Sequence, residues 1–360
     1  MLVFPLSQQT PSPLINNRRV TITKAEVLSQ RQLTHDTFEL KISCLGGNEL
    51  VSARSGQFAT ILFPGMSKPR PYSFACDPVS EVAGEYTFFI RLVPGGEVST
   101  WLSEKNRDGT LVELSGPLGK FQLDDSHNTM LCVGGGSGMS AIKALVEEAC
   151  RQQARRDCLF FYGARSQADL YCESEMMEIK RCWHRDYKFE FIQVLSAEKS
   201  DSKWSGARGQ VVEVMEKQGS IVEISRWSDV SGFLCGPKPM VEAGRLFFER
   251  KGVTSDKIYV DIFEDLSSPV PIVDNSKCVL CDECLLVRPI NNCIIETSSR
   301  DGNSGLHEEI RPGDSSGLYY NSLFIDPANC IRCYACVSAC PHDAISIIDE
   351  GKTHRTLRYG

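Results

Sequence analysis

A predicted strand turns into a predicted helix at Cys132-Val133-Gly134-Gly135-Gly136-Ser137-Gly138-Met139. On either side of this turn, apolar strands at 129–133, 158–162 and 232–235 alternate with helical stretches, the first of them at 139–154. Strands separated by amphipathic helices predict a parallel, doubly wound α/β sheet, which we assign to residues 124–266. Ligands of such sheets lie at the carboxyl ends of the strands, where a glycine-rich backbone can approach a dinucleotide pyrophosphate.

The segment before this sheet has a different pattern. Residues 20–23, 37–40, 57–62 and 86–91 are rich in β-branched and aromatic residues and are bounded by Gly, Pro and Asp turns. This pattern predicts a small antiparallel β-barrel over residues 20–123. A proline-containing tail, residues 1–19, precedes it and lacks the basic start and apolar core of a secretory signal.

Composition excludes several function classes. The 360 residues carry a formal net charge of -7 without a Lys/Arg block, which makes nucleic acid an unexpected partner. No apolar run reaches the roughly 18 residues that a membrane-spanning helix needs, so we expect a cytoplasmic protein without a membrane span.

Half of the sixteen cysteines crowd into two rows near the C-terminus. The rows are Cys278, Cys281 and Cys284 followed by Cys293, and Cys330, Cys333 and Cys336 followed by Cys340. Three thiolates at every third residue wrap a loop around one face of a cubane iron-sulfur cluster. Zinc is the alternative, although it usually takes two cysteine pairs. We expect a linker at 267–275, a third domain at 276–360 and a surface loop at 297–317.

The doubled row with Cys340-Pro341 at its end resembles the bacterial two-cluster ferredoxins, which are α+β domains. That family exchanges the fourth ligand between rows. The resemblance therefore implies one 4Fe-4S cluster on Cys278, Cys281, Cys284 and Cys340, and another on Cys330, Cys333, Cys336 and Cys293. Eight residues separate Cys284 from Cys293, where about three are usual, and Ile294 replaces the usual proline. These departures leave the environment of the second cluster open.

Arg70-Pro71-Tyr72-Ser73 resembles the Arg-x-Tyr-Ser element of the ferredoxin-NADP reductase superfamily. The resemblance implies that the tyrosine stacks on a flavin, that the arginine neutralises its phosphate and that the serine bonds near flavin N5. By itself, an adjacent Arg and Tyr can equally be a surface cation-π pair. The closing strand of the family's barrel is similar to Gly116-Pro117-Leu118-Gly119-Lys120-Phe121.

A glycine turn enters a predicted helix at 94–102, where free N–H groups attract phosphate. A plain capped turn is the alternative. The residues expected to bind the flavin, which the resemblance makes FAD rather than FMN, are Arg70, Pro71, Tyr72, Ser73, Arg91, Val93, Gly95, Gly96, Val98, Ser99 and Thr100.

Phe233-Leu234-Cys235-Gly236-Pro237-Lys238-Pro239-Met240 resembles the same family's Cys-Gly-Pro-x-x-Met strand end, in which the cysteine faces the nicotinamide. A buried structural cysteine is the alternative. Arg165 and Ser166 can receive the 2′-phosphate of NADPH, but Gly163-Ala164-Arg165 and Asp169-Leu170-Tyr171 are similar to oxygenase reductases that use NADH, which we favour. The expected nucleotide-binding residues are Gly134, Gly135, Gly136, Ser137, Gly138, Arg165, Ser166, Gly236 and Pro237.

Tyr259-Val260-Asp261-Ile262-Phe263 resembles the family's last strand, in which an acidic residue and an aromatic residue approach the flavin from the nicotinamide side. Asp261 stands where glutamate is more usual. The resemblance thus predicts four catalytic residues, Ser73, Cys235, Asp261 and Phe263.

These elements together predict an NAD(P)H-dependent reductase. Hydride would pass to FAD, and single electrons through two 4Fe-4S clusters to a partner protein such as an oxygenase component. Three alternatives stay open: a low-potential acceptor that is not an oxygenase, reduction of NAD(P)+ in the reverse direction, and a regulatory module that binds metal for structure or sensing.

Overall fold

The computed structural model describes residues 20–47, 49–50, 52–218, 224, 226–262, 269–290, 292–299 and 320–347. The predicted tail at 1–19, the catalytic candidate Phe263, the start of the linker at 267–268 and most of the predicted loop at 297–317 lie outside the described residues. Among the described helices, none combines the length and the apolar character that crossing a membrane would require.

A six-stranded antiparallel barrel forms the N-terminal part of the chain. Its elements are β1 (Thr21–Thr34), β2 (Thr37–Cys44), β3 (Phe58–Leu62), β4 (Arg70–Ser73), β5 (Glu85–Arg91), α1 (Glu97–Glu104) and β6 (Leu111–Leu118). The strand order is β4-β3-β6-β1-β2-β5. A bridge between Phe74 and Phe88 joins the end of β4 to β5, so the sheet closes on itself. This confirms the predicted barrel.

A parallel six-stranded sheet follows. Its elements are β7 (Thr129–Gly135), α2 (Met139–Arg151), β8 (Cys158–Ala164), α3 (Glu173–Cys182), β9 (Phe189–Leu195), β10 (Ala207–Arg208), α4 (Val211–Gln218), β11 (Val230–Gly236), α5 (Lys238–Arg250) and β12 (Ile258–Ile262). The order β10-β9-β8-β7-β11-β12 reverses direction beside β7, which is where doubly wound sheets bind ligands.

Helices cover both faces of this sheet because successive strand residues point to opposite sides. Cys132 and Phe160 pack with α2 and α3, whereas Val133 and Phe161 pack with α4 and α5, which confirms the doubly wound prediction.

A buried carboxylate, Asp124, lies just before β7. It accepts hydrogen bonds from Ser126 and Ser231, each at 2.6 Å, and pairs with buried Arg156.

The C-terminal part is a small α+β unit, as predicted. Its elements are β13 (Ile272–Val273), α6 (Glu283–Leu286), β14 (Ile294–Ser299), β15 (Tyr320–Ile325), α7 (Ala335–Ala339) and β16 (Ile345–Ser346). β13 pairs with β16, and β14 with β15, both antiparallel.

The two cysteine rows have the same backbone conformation. In the first row, Leu280 and Asp282 adopt left-handed φ angles of 55° and 61°, and 52 positions later Arg332 and Tyr334 adopt 56° and 53°. An aspartate carbonyl, that of Asp274 or Asp326, accepts the N–H of the first cysteine in each row. The rows therefore form an internal structural repeat.

Candidate active site and cluster sites

Three side chains from distant parts of the sequence meet where the barrel touches the parallel sheet. The Ser73 hydroxyl, at the end of β4, donates a hydrogen bond to Oδ2 of Asp261 at 3.3 Å. The Cys235 thiol donates to the same oxygen at 3.7 Å. Cys235 and Asp261 are neighbours because they occupy paired positions on the parallel strands β11 and β12. The structure thus brings together three of the four predicted catalytic residues, while Phe263 lies outside the described part of the chain.

Burial shifts the pKa values of Asp261 and Cys235 in this group of three side chains. Burial raises the pKa of the Asp261 carboxyl to about 6, although the hydrogen bonds from Ser73 and Cys235 act in the opposite direction. Burial, together with the nearby Asp261 carboxylate, also raises the pKa of the Cys235 thiol well above its ordinary value. At neutral pH Asp261 is therefore an anionic carboxylate that accepts hydrogen bonds from two neutral donors, Ser73 and Cys235.

The glycine-rich turn packs directly against the Cys235 strand. A Cβ atom at Gly138 would lie 2.1 Å from the carbonyl oxygen of Cys235, so only glycine fits there. Gly136 has a left-handed φ of 54°, and its carbonyl accepts hydrogen bonds from Tyr171 at 3.0 Å and from Tyr162 at 3.3 Å. The remaining predicted glycines, Gly134, Gly135 and Gly236, lie at the ends of β7 and β11.

Two neighbours of these glycines begin helices. Ser137 lies in a 3-10 turn that leads into α2, and Pro237 is the N-cap of α5. Both helices therefore point the positive ends of their dipoles toward the carboxyl edge of the sheet, which suits a pyrophosphate.

Five of the predicted flavin-binding residues line a cleft of about 650 Å³ on the barrel. Arg91, Val93, Gly95, Ser99 and Thr100 line it, together with His35, Asp36 and Arg165. The N–H of Val93 donates to the Ser99 hydroxyl at 2.6 Å, which fixes the turn before α1. The cleft thus joins hydroxyl groups, arginines and a helix N-terminus, the groups that hold a dinucleotide phosphate.

The other predicted flavin residues have different surroundings. Arg70 pairs with Glu97 of α1 at 3.1 Å, and Tyr72 packs edge-on against Phe63. Burial raises the pKa of the Tyr72 phenol, which stays neutral. Val98 is buried among the barrel's core residues. Pro71 pairs with Thr60 in the β3–β4 ladder, and Gly96 is the N-cap of α1.

Sequence reasoning missed a charged network beside the cleft. Arg165 pairs with Asp169 at 2.6 Å and with Asp36 of the barrel at 2.9 Å, and Asp36 also pairs with Arg91 at 3.1 Å. Asp169 accepts hydrogen bonds from the N–H of Ser166 at 2.9 Å and from its hydroxyl at 2.7 Å. The Ser166-x-x-Asp169 spacing is that of a capping box, so the contact between Ser166 and Asp169 could have been predicted from the sequence.

Hydrogen bonding controls the charge of these acids. Burial alone would raise the pKa of Asp169, but the hydrogen bonds from Ser166 and Arg165 hold it below its ordinary value. Burial alone would likewise raise the pKa of Asp36, but Arg91 and two threonines hold it below its ordinary value. Both carboxylates are therefore anionic at neutral pH, and they occupy the donors that a 2′-phosphate would need.

The row cysteines are all free thiols and fall into two groups. A cavity is lined by Cys278, Cys281, Cys284 and Cys340. Burial, together with the other three thiols of this cavity, raises the pKa of Cys284 to about 11. Burial also raises the pKa of Cys336, assisted by the second group, Cys333, Cys330 and Cys293, and by Cys284 of the first group. Two sets of four thiols fit the ligand requirement of 4Fe-4S clusters.

Comparison with protein families yields three matches along the chain. The model of the oxidoreductase FAD-binding domain matches residues 24–123, and that of the oxidoreductase NAD-binding domain matches residues 132–245. The model of the 4Fe-4S binding domain matches residues 323–346, which contain the second cysteine row.

Individual relatives decide the family. The chain is 37% identical over 241 residues to the xylene/toluene monooxygenase electron transfer component XylA of Pseudomonas putida, a match that covers 67% of the chain and 65% of that protein. It is 32% identical to the reductase component of the naphthalene 1,2-dioxygenase system of Pseudomonas putida, with 67% and 69% covered. The chain belongs to the ferredoxin-NADP reductase superfamily.

Solved structures of this superfamily have the same arrangement of barrel and parallel sheet. The ferredoxin reductase in carbazole 1,9a-dioxygenase is 30% identical, with a TM-score of 0.57 over 68% of this chain and 70% of that one. The Amycolatopsis cytochrome P450 reductase is 28% identical, with a TM-score of 0.59 over the same shares. The chain spans about two thirds of the length of its curated relatives, 65%, 68% and 69% for three of them.

Proposed function

We propose that this protein oxidises NADH at a bound FAD and delivers single electrons through two 4Fe-4S clusters to a protein acceptor, an oxygenase component. The observation that carries the proposal is the contact of Asp261 with Ser73 and with Cys235, which joins the flavin-motif strand to the carboxyl edge of the nucleotide-binding sheet. This is the junction at which, by the family resemblance, flavin and nicotinamide meet.

The chemistry that bound FAD would supply is acceptance of a hydride from the nicotinamide and release of single electrons to iron-sulfur clusters. The chain's own residues supply binding and electrostatics. Arg70, Ser99 and the N-terminus of α1 would hold the flavin phosphates, and Tyr72 would support the ring. Ser73 would provide a hydroxyl near the site of hydride transfer, and the Asp261 carboxylate would stabilise positive charge there.

The eight row cysteines would hold the two clusters with an exchanged fourth ligand. The grouping of Cys278, Cys281, Cys284 and Cys340 around one cavity supports the first ligand set. Cys330, Cys333 and Cys293 lie near enough to Cys336 to raise its pKa, as Cys284 of the first set also does, and this proximity supports the second ligand set. All eight thiols are used in this arrangement, which favours two 4Fe-4S clusters over one.

An anaerobic titration with NADH tests the proposal. Because FAD takes two electrons and each of two clusters takes one, complete bleaching requires about two NADH per chain. A chain with flavin but no clusters would bleach fully with about one NADH. A preparation that contains zinc in place of iron, or no flavin, would refute the proposal and favour the regulatory module.

NADH is the preferred nucleotide in this proposal. Asp169 already occupies Arg165 and both donors of Ser166, and Asp36 adds a second negative charge next to Arg165. A 2′-phosphate would bring like charge to this network, which costs binding free energy.

The variant Asp169→Ala tests this preference, with Asp186→Ala as the matched control because Asp186 is an exposed aspartate of the same domain. Removal of Asp169 should raise the ratio of kcat/KM for NADPH to that for NADH by about tenfold. One negative charge beside a binding site slows the association of an anionic ligand by about this factor. The control should leave the ratio unchanged. An unaltered ratio in Asp169→Ala would remove Asp169 as the specificity determinant.

The oxygenase acceptor is proposed by similarity. The related proteins are named as reductase or electron transfer components of xylene/toluene monooxygenase, naphthalene 1,2-dioxygenase and propane 2-monooxygenase. Reconstitution with the purified oxygenase component of such a system should yield NADH-dependent oxygenation.

A further inference from the structure

The two cysteine rows have the same backbone but very different exposure. Val279 of the first row is 60% exposed, whereas Ile331 at the equivalent position of the second row is 6% exposed. Asp282 is exposed, whereas its equivalent, Tyr334, is 6% exposed. Since the local conformations match, the difference arises from what packs against each row.

The second row packs against the chain's own barrel and linker. The Tyr334 hydroxyl donates to the carbonyl of Pro269 at 2.8 Å. The Lys68 ammonium group donates to the carbonyl of Ala328, two residues before Cys330. Lys68 itself lies two residues before Arg70, the first residue of the flavin motif. The second row therefore lies beside the strand that begins the proposed flavin site.

The first row instead exposes an apolar centre with an acidic rim. Val279, Cys281 and His342 are exposed, and all three line the cavity that also contains Cys278, Cys284 and Cys340. Leu280 adds apolar surface next to them. The acidic residues of the row and of the turn after Cys340 are Asp282, Glu283 and Asp343. An apolar centre with a charged rim is the usual composition of a protein interface.

We propose that this surface, defined by Val279, Leu280, Cys281, Asp282 and Asp343 and called the first-row face, docks the electron acceptor. The acceptor fits if it is a redox protein whose contact area is apolar and ringed by lysine or arginine, which complements the acidic rim. The inference rests on the proposed function. Oxidation of one NADH to NAD+ and a proton releases two electrons, so two one-electron acceptors are reduced in turn at this face.

The test uses cytochrome c, a redox protein with a lysine-rich rim, as the probe and the holoprotein as its reductant. Leu280→Lys places a positive charge in the first-row face. Leu246→Lys is the matched control, because Leu246 is an exposed leucine of α5 in the nucleotide domain. We expect the second-order rate of cytochrome c reduction to fall by about tenfold in Leu280→Lys only, with NADH reducing the flavin at the wild-type rate in both.

Two further measurements keep the inference testable if Leu280→Lys loses its clusters. Asp343→Asn, which removes one rim charge, should slow the reaction and weaken its dependence on salt. In the wild type, carbodiimide should link lysines of cytochrome c to Asp282, Glu283 or Asp343, as mapped by mass spectrometry. This mapping does not depend on turnover.

Several results would overturn the inference. Cross-links from these acids to Lys352, or to a second copy of the chain, would show that the protein covers this face itself. Cytochrome c linked elsewhere, or equal rates in the two lysine variants, would place the exit of electrons at another surface. Failure of NADH to reduce flavin and clusters in the wild type would instead refute the proposed function.

Discussion

Replacing Asp261 with asparagine removes the carboxylate that touches Ser73 and Cys235 and keeps nearly the same shape. The pKa of about 6 means that Asp261 is neutral at pH 5 and anionic at pH 7. A nicotinamide that gives up hydride becomes positively charged, and an anionic Asp261 stabilises that charge. The rate of flavin reduction should therefore rise as the pH increases through 6, and asparagine should abolish the rise.

The magnitude follows from the distances. Ser73 Oγ and Cys235 Sγ lie 3.3 and 3.7 Å from Oδ2 of Asp261. A nicotinamide ring in contact with the Cys235 sulfur would carry its positive charge about 6 Å from the Asp261 carboxylate. For a full charge and an effective dielectric constant of about 20, this distance corresponds to an attraction of about 3 kcal/mol. With about half of the charge developed in the transition state, the gain is about 1.4 kcal/mol, or about tenfold in rate.

The assay is anaerobic stopped-flow mixing with saturating NADH between pH 5 and pH 8, followed at the flavin absorbance. Wild type should gain about tenfold across a midpoint near pH 6, whereas Asp261→Asn should stay at the slow rate throughout. Asp261→Glu, which restores the family's more usual residue, should retain the pH dependence. Identical profiles for wild type and Asp261→Asn would refute an electrostatic role for this carboxylate.

Three further predictions concern other parts of the chain. Gly138→Ala places a methyl group against the Cys235 carbonyl, so it should lower the free energy of unfolding by about 1–3 kcal/mol and raise KM for NADH, as denaturant titration and steady-state kinetics would reveal. Asp124→Ala leaves a buried guanidinium unpaired and should cost about 3–5 kcal/mol in the same denaturant titration. Cys281→Ser should remove about four irons per chain by colorimetric iron assay, whereas Cys182→Ser should remove none.

The barrel was predicted correctly, but the extent of its strands was predicted only in part, because the long strand β1 is irregular. Sequence predicted a strand at 20–23, but β1 extends over Thr21–Thr34. Register shifts between Val27 and Ser29 and between Gln32 and Thr34 interrupt its alternation of apolar and polar residues. The helix predicted at 139–154 ends earlier, at Arg151, shortly before Gln153 adopts a left-handed φ of 51°.

Local patterns predicted the site better than long-range contacts did. The cysteine spacing, the glycine turn and the Arg-x-Tyr-Ser element are each local patterns within about 16 residues, so sequence alone indicated them. The pairing of Arg165 with Asp36 joins residues 129 positions apart, and no local pattern indicates it. The unequal exposure of the two cysteine rows depends on the packing of Lys68 and Tyr334, which again requires the fold.

Rapid anaerobic mixing of the holoprotein with NADH tests most directly whether one chain carries electrons from nucleotide to clusters. Flavin and cluster absorbance would be recorded together, with iron, sulfide and flavin measured on the same sample. The flavin should bleach first and the clusters afterwards, at about eight irons per chain. Clusters that stay oxidised while the flavin is reduced, or that bleach before it, would contradict the proposed path of electrons.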